Sequence, residues 1–148
     1  MKSCFLFGHR DCPDTILPRI EEAIQDLYFH HGITVFYVGN RGRFDSLAAA
    51  AVKRMKLQYS DICLYLLLAY HPGQRTVELT EGFDGSYYPP LERTPMQYAI
   101  AKANRYMADH SQALICYVCH AGNTRNLLAY AQRKSRACFP ILNVADAF

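Results

Sequence analysis

The segment from Ile33 to Lys56 constrains this chain more than any other. Ile33 to Val38 is an unbroken run of β-branched and aromatic residues, the composition of a buried strand. Leu47 to Lys56 is alanine-rich and predicts a helix over about Ser46 to Gln58. Between them lies Gly39-Asn40-Arg41-Gly42-Arg43-Phe44-Asp45. Two glycines three apart let backbone N–H groups approach a ligand, and a helix N-terminus adds free donors and a partial positive charge. Strand, glycine loop and helix in that order can hold a phosphate. A tight turn that binds nothing carries the same G-x-x-G-x-x-D pattern.

The rest of the chain repeats the alternation. Cys4 to Phe7 predicts a short strand ending in Gly8-His9-Arg10-Asp11. A helix follows over about Thr15 to His30, with Ile20, Ile24 and Leu27 on its apolar face, Pro13 and Pro18 at its entry and Gly32 as its stop. Ile62 to Leu68 is a third strand. Residues 69–93, rich in proline, glycine and tyrosine, are irregular, with Thr76 to Glu81 as a candidate short helix. Thr94-Pro95-Met96-Gln97 has the form of a capping box with proline at the first helical position. Met96, Ile100, Ala103 and Met107 then recur at helical spacing and should face the core. Ala113 to Cys119 reads as strand four, Thr124 to Lys134 as a helix, and Cys138 to Val144 as strand five.

Strands alternating with helices predict one α/β domain over residues 1–148, a Rossmann-like parallel sheet of about five strands with helices on both faces. In such sheets ligands sit at the carboxyl ends of the strands. Four loops fall on that edge: Gly8-His9-Arg10, Gly39 to Asp45, Ala69-Tyr70-His71 and His120 to Thr124. Their convergence points to a small anionic ligand.

Composition limits the alternatives. The chain has 148 residues, enough to bury about 68–70% of its unfolded surface without staples. A net charge of +3 is too small for a dedicated nucleic-acid binder. The longest apolar stretch, Ile62 to Tyr70, is far too short to span a membrane. Met1-Lys2-Ser3 runs straight into the first strand, so no signal peptide is expected; the six cysteines then read as free thiols in a reducing cytoplasm. Cys116-Tyr117-Val118-Cys119-His120 has the haem-attachment spacing C-x-x-C-H. In a strand, however, Cys116 and Cys119 point to opposite faces, and no second Cys/His pair has zinc-ligand spacing, so no metal is expected.

Candidate ligand contacts are the glycines Gly8, Gly39, Gly42 and Gly122, and the arginines Arg10, Arg41 and Arg43, whose guanidinium groups make charge-assisted bonds to phosphate. Asp45 beside a helix start suits capping first. Its sharper role is to accept ribose hydroxyls or act as a general base, and it is the one catalytic candidate. His9 and His120 flank opposite loops and suit either a carbonyl partner or ligand polarisation. Asn104 lies near the apolar stripe of its helix and needs a partner. Thr124 is a candidate N-cap whose hydroxyl can also reach phosphate. Tyr87-Tyr88-Pro89-Pro90-Leu91 is a candidate apolar contact between copies in a homodimer.

Taken together, these motifs resemble the SLOG superfamily, the Rossmann-like group that includes the LOG phosphoribohydrolases and the Smf-related DNA-processing proteins. The resemblance is nearest to its small bacterial branch that includes YpsA. It rests on Phe7-Gly8-His9-Arg10 after the first strand, Gly39, Gly42, Phe44 and Asp45 after the second, Lys102 to Met107 before the fourth, and Ala121-Gly122-Asn123-Thr124 after it. It implies that the chain binds a nucleotide or nucleotide derivative, with no resident cofactor, through these loops, Asn123 included. The LOG enzymes carry a glutamate after the second glycine loop; Arg125 to Leu128 supply no carboxylate, so that reaction does not carry over. The alternatives from other classes are a hydrolase of N-glycosidic or phosphoester bonds using Asp45 with His9 or His120, and a single-stranded nucleic-acid binder using the tyrosine-rich loop.

Overall fold

The computed structural model describes residues 2–73, 75–91, 93–134 and 139–146. Its strands are β1 (Lys2–Gly8), β2 (Ile33–Val38), β3 (Cys63–Leu67), β4 (Gly85–Tyr87), β5 (Ala113–Tyr117) and β6 (Ile141–Asn143). Its helices are α1 (Leu17–His31), α2 (Arg43–Gln58), α3 (Met96–His110) and α4 (Asn123–Lys134), with a single 3-10 turn at Asp14–Ile16. All strand pairs are parallel, in the order β4-β3-β2-β1-β5-β6. The chain winds outward from β1 to β4 and then restarts on the other side of β1. The reversal therefore falls between β1 and β5, where doubly wound sheets open a crevice.

Side-chain alternation divides the core in two. Cys4 and Leu6 of β1 join Phe36, Val38, Leu64 and Ile115 beneath α1 and α2. Phe5 and Phe7 join Leu67, Leu114 and Cys116 beneath α3 and α4. A central strand buried on both faces has no polar alternation, which is why Cys4-Phe5-Leu6-Phe7 reads as a continuous apolar run. Ala48, Ala51 and Val52, all fully buried, give α2 a small-residue face towards the sheet. Gly32 ends α1 in the left-handed conformation at φ 70, its N–H donating to the Leu27 carbonyl.

The sheet has six strands where the sequence predicts about five. The extra one, β4, lies inside the stretch read as irregular. It pairs with β3 through Tyr65, Leu66 and Leu67, and three residues that include a glycine leave no period to detect. Asp84 aligns it: its N–H donates to the Leu64 carbonyl, while its carboxylate accepts the Leu64 N–H and the Lys56 ammonium. Thr76 to Glu81 is exposed and forms no helix.

Other boundaries differ for local reasons. The residues Thr94 to Gln97 form no capping box: α3 starts at Met96 with no side-chain cap, and the Thr94 N–H closes a turn on Leu91. Met96 at that open end is half exposed, while Ala103 and Met107 are buried as expected. The fourth predicted strand ends at Tyr117, so Cys119 sits in the following loop, exposed. The last strand starts at Ile141 rather than Cys138, which lies outside the described residues. The run Tyr87 to Leu91 is not an exposed apolar contact, because Pro89 and Leu91 are buried and Tyr87 and Tyr88 pack on the second core. Among the described residues no helix is long and apolar enough to cross a membrane.

Candidate functional site

The loops after β1 and β2 are locked together before they can meet any ligand. A Cβ on Gly8 would lie 2.5 Å from Cγ of Phe44, which is fully buried. A Cβ on Gly42 would lie 2.5 Å from Cα of Arg10. The Arg43 N–H donates to the Arg10 carbonyl at 3.0 Å. Both glycines are thus required by backbone-to-chain packing. Gly42 leaves its own position extended, so it is proximity rather than a left-handed turn that demands glycine there.

On the α3/α4 side of this joint a cavity of about 580 Å³ opens at the carboxyl edge. This is within the usual size of small-molecule sites. Of the residues singled out in the sequence, Gly8, Arg10, Gly39, Arg41, Asp45, Asn104, Asn123 and Thr124 line it. His9, Gly42, Arg43, Phe44 and Gly122 do not. Arg43 turns outward to pair with Asp14 at 2.7 Å. Phe44 lies in the core, facing Tyr117 at 6.5 Å. Gly122 takes φ 145 at the entry to α4 with open space around it, so conformation rather than packing accounts for it.

Asp45 is the third residue of α2 and 8% exposed. Its Oδ2 accepts the Arg41 N–H at 2.8 Å, which closes the glycine loop from within. Asp45 therefore does not cap α2, whose N-cap is Gly42 with no side-chain cap; its bond ties the helix back to the loop. Burial pushes its carboxyl up to about 6, against the lowering pull of the Arg41 N–H and of the charges on Arg41 and Arg10. The Arg41 guanidinium lies 5.5 Å from the Tyr70 ring, which also holds Arg75 at 4.2 Å. The Arg10 side chain makes no hydrogen bond or ion pair among the described residues. A larger hollow of about 740 Å³ opens at the opposite, amino edge. Its cations are already matched, Lys2 by the His31 carbonyl and Lys134 by Asp109.

His9 serves the other side of the joint. It is buried, and its Nε2 accepts the N–H groups of Cys119 at 3.0 Å and His120 at 3.3 Å, which fixes it as a neutral ring with its proton on Nδ1. His120 stacks on it at 3.6 Å, with the ring planes 9° apart. Both nitrogens of His120 face acceptors: Asp11 Oδ1 at 3.3 Å and the Ala121 carbonyl at 3.0 Å. Only the imidazolium donates from both. Burial, and then the neighbouring His120 charge, lowers His9; the Ala121 carbonyl and Asp11 raise His120.

Ligand atoms of His9, Cys119 and His120 come within 4.8 Å of one another. Stacked parallel rings cannot both aim in-plane lone pairs at one ion about 2.0–2.1 Å away, and His9 Nε2 is already committed. In this arrangement the trio is a clasp between the loops after β1 and β5.

Ala69, in one of the four predicted edge loops, also lines the cavity, as do Gln97, Ile100, Ala101 and Arg105 of α3, Asn126 and Leu127 of α4 and Leu67 of β3, none of which the sequence marks as a ligand contact. Gln97 and Asn104 stand seven residues apart, two helical turns, and that spacing was the available signal. Which side of α3 meets the loops after β1 and β2 depends on strand order, which the sequence did not supply. No protein-family model matches the chain, and no curated protein is detectably similar to it.

Proposed function

We propose that the protein binds a nucleotide or nucleotide derivative in the carboxyl-edge cavity, as the SLOG resemblance implies. Arg10 and Arg41 hold the phosphate, the Gly8 and Gly39 backbone approaches it closely, and Thr124 in the first turn of α4 adds a hydroxyl. Asp45 accepts a ribose hydroxyl. The observation that carries this reading is one cavity that brings the exposed Arg10 and the half-buried Arg41 together beside the buried Asp45 carboxylate.

A thermal-shift screen with AMP, ADP, NAD, ADP-ribose, cyclic nucleotides and nucleoside monophosphates tests it. At about 100 times Kd, binding adds roughly 2.7 kcal/mol, a rise of about 5–10 °C for a chain of this size. Arg10→Ala should abolish the rise. No shift with any member of the panel sinks the reading.

A second reading has a specific support. A carboxyl raised to about 6 is matched to proton transfer near neutral pH. If Asp45 works as an acid or base on an N-glycosidic or phosphoester bond, mass spectrometry of the screened ligands will show cleavage. Asp45→Asn will then stop turnover while binding persists.

A further inference from the structure

We propose that the wall formed by α3 and α4 reads the heterocyclic base of the ligand, and that the side-chain amides of Gln97, Asn104 and Asn126 are the reading groups. This rests on the nucleotide reading above and goes further by naming the part of the ligand that sets specificity. The cavity draws on two kinds of wall. The loops after β1 and β2 bring the guanidinium groups of Arg10 and Arg41; α3 and α4 bring neutral amides. Gln97 and Asn104 share a side of α3, about 10 Å apart along its axis, with Ile100 and Ala101 between them as an apolar rest. Asn126 joins them from α4. The remaining cation on this wall, Arg105, has its guanidinium 5.1 Å from the Tyr130 ring.

Among the described residues none of the three amides makes a side-chain hydrogen bond. Each offers two donors and one acceptor. Gln97 and Asn126 are exposed and Asn104 half-buried, so together they offer a neutral hydrogen-bonding surface, open to exchange water for ligand, beside an apolar rest. A phosphate, which offers acceptors alone, does not match that combination. A flat heterocycle with a donor and an acceptor side by side on its edge does, and amides pair with such edges in bidentate fashion. Once a site commits amides to a base, a ligand without that edge leaves them unpaired and is rejected.

The test is titration calorimetry of the whole chain with the four nucleoside monophosphates and with ribose 5-phosphate. At least one nucleotide should bind about 5- to 100-fold tighter than ribose 5-phosphate, the range set by one good bidentate pair. Asn104→Ala should reduce that preference to under threefold and leave ribose 5-phosphate affinity unchanged. Asn126→Ala, at an exposed position, should do the same in part, and its thermal midpoint confirms a folded protein. Equal binding of ribose 5-phosphate and all four nucleotides overturns the inference and leaves a sugar-phosphate site. So does a base preference that survives both substitutions. If no nucleotide and no ribose 5-phosphate binds, the underlying reading falls with it.

Discussion

The two sides of the switch point between β1 and β5 use similar residues to different ends. Facing α1 and α2, the polar groups at the joint are matched: His9 takes two backbone N–H groups, both His120 nitrogens meet acceptors, and Arg43 holds Asp14. Facing α3 and α4, the Arg10 guanidinium and the Gln97, Asn104 and Asn126 amides make no side-chain hydrogen bond among the described residues and stand at least partly open to solvent, while burial pushes the Asp45 carboxyl up to about 6. The first side is a joint and the second a socket. A histidine or arginine in a loop therefore says little until its hydrogen bonds have been counted. What separates the two sides is not polarity but whether a protein group or the solvent takes up that capacity.

The largest effect that would break the contrast is on the joint. Gly8→Ala drives a methyl into Phe44, and overpacking at a rigid buried ring should destabilise by about 3 kcal/mol. That is a fall of roughly 6–12 °C in the thermal midpoint. Asn104→Ala, on the socket side, should stay within about 0.5 kcal/mol of wild type. Comparable losses at both positions would erase the distinction.

Asp45 spans both roles, and its effect should be opposite in sign. Its folded pKa is raised to about 6 from an ordinary 3.8. The folded state therefore binds more protons than the unfolded one between those values, and stability falls as pH rises through that window. Above it the loss is complete, roughly 2–3 kcal/mol. Asp45→Asn keeps an acceptor for the Arg41 N–H and removes the charge. It should stabilise the protein at pH 7 by about that amount and flatten the profile between pH 4 and 6, as followed by denaturant unfolding. A destabilised variant would mean that the carboxylate is wanted for the fold itself.

The smallest effect sharpens the comparison within the joint. In an NMR titration His9 should take up its proton below the ordinary 6.5 and His120 above it. His120→Asn should move His9 upward, but only part of the way, because burial is the larger cause. The two shifts act oppositely on stability. The His9 contribution is lost as pH falls below the unfolded value, and that of His120 as pH rises through its folded one. Two rings titrating together at the ordinary value would show that the clasp does not hold in solution.

The sequence made the alternation legible because each core strand is buried on both faces and each principal helix carries an apolar stripe. It made β4 illegible because that strand is positioned by Asp84 and Lys56, contacts across 20 and 28 residues, rather than by its own three residues. For the site, Gly8, Arg10, Gly39, Arg41 and Asp45 were legible because they follow strand ends, and strand ends share an edge. Gly42 and Phe44 stood beside them in the same motif, yet they serve the packing of two loops. The helical wall was hidden because it depends on which neighbours flank β1.

That central place of β1 has a consequence for how the protein is made. Its β2 side can pair early, but its β5 side waits for chain that is synthesised much later: Ser3 and Gln112, which bond across that seam, are 109 residues apart. At roughly 5–20 residues per second, the seam stays open for about 5–20 s on the ribosome. Throughout that interval Phe5 and Phe7 lack Leu114, Cys116 and the α4 residues that help cover them in the finished sheet. The segment that founds the fold is thus also its longest-lived aggregation hazard, and a chain interrupted before β5 should depend on chaperones more than one interrupted after it.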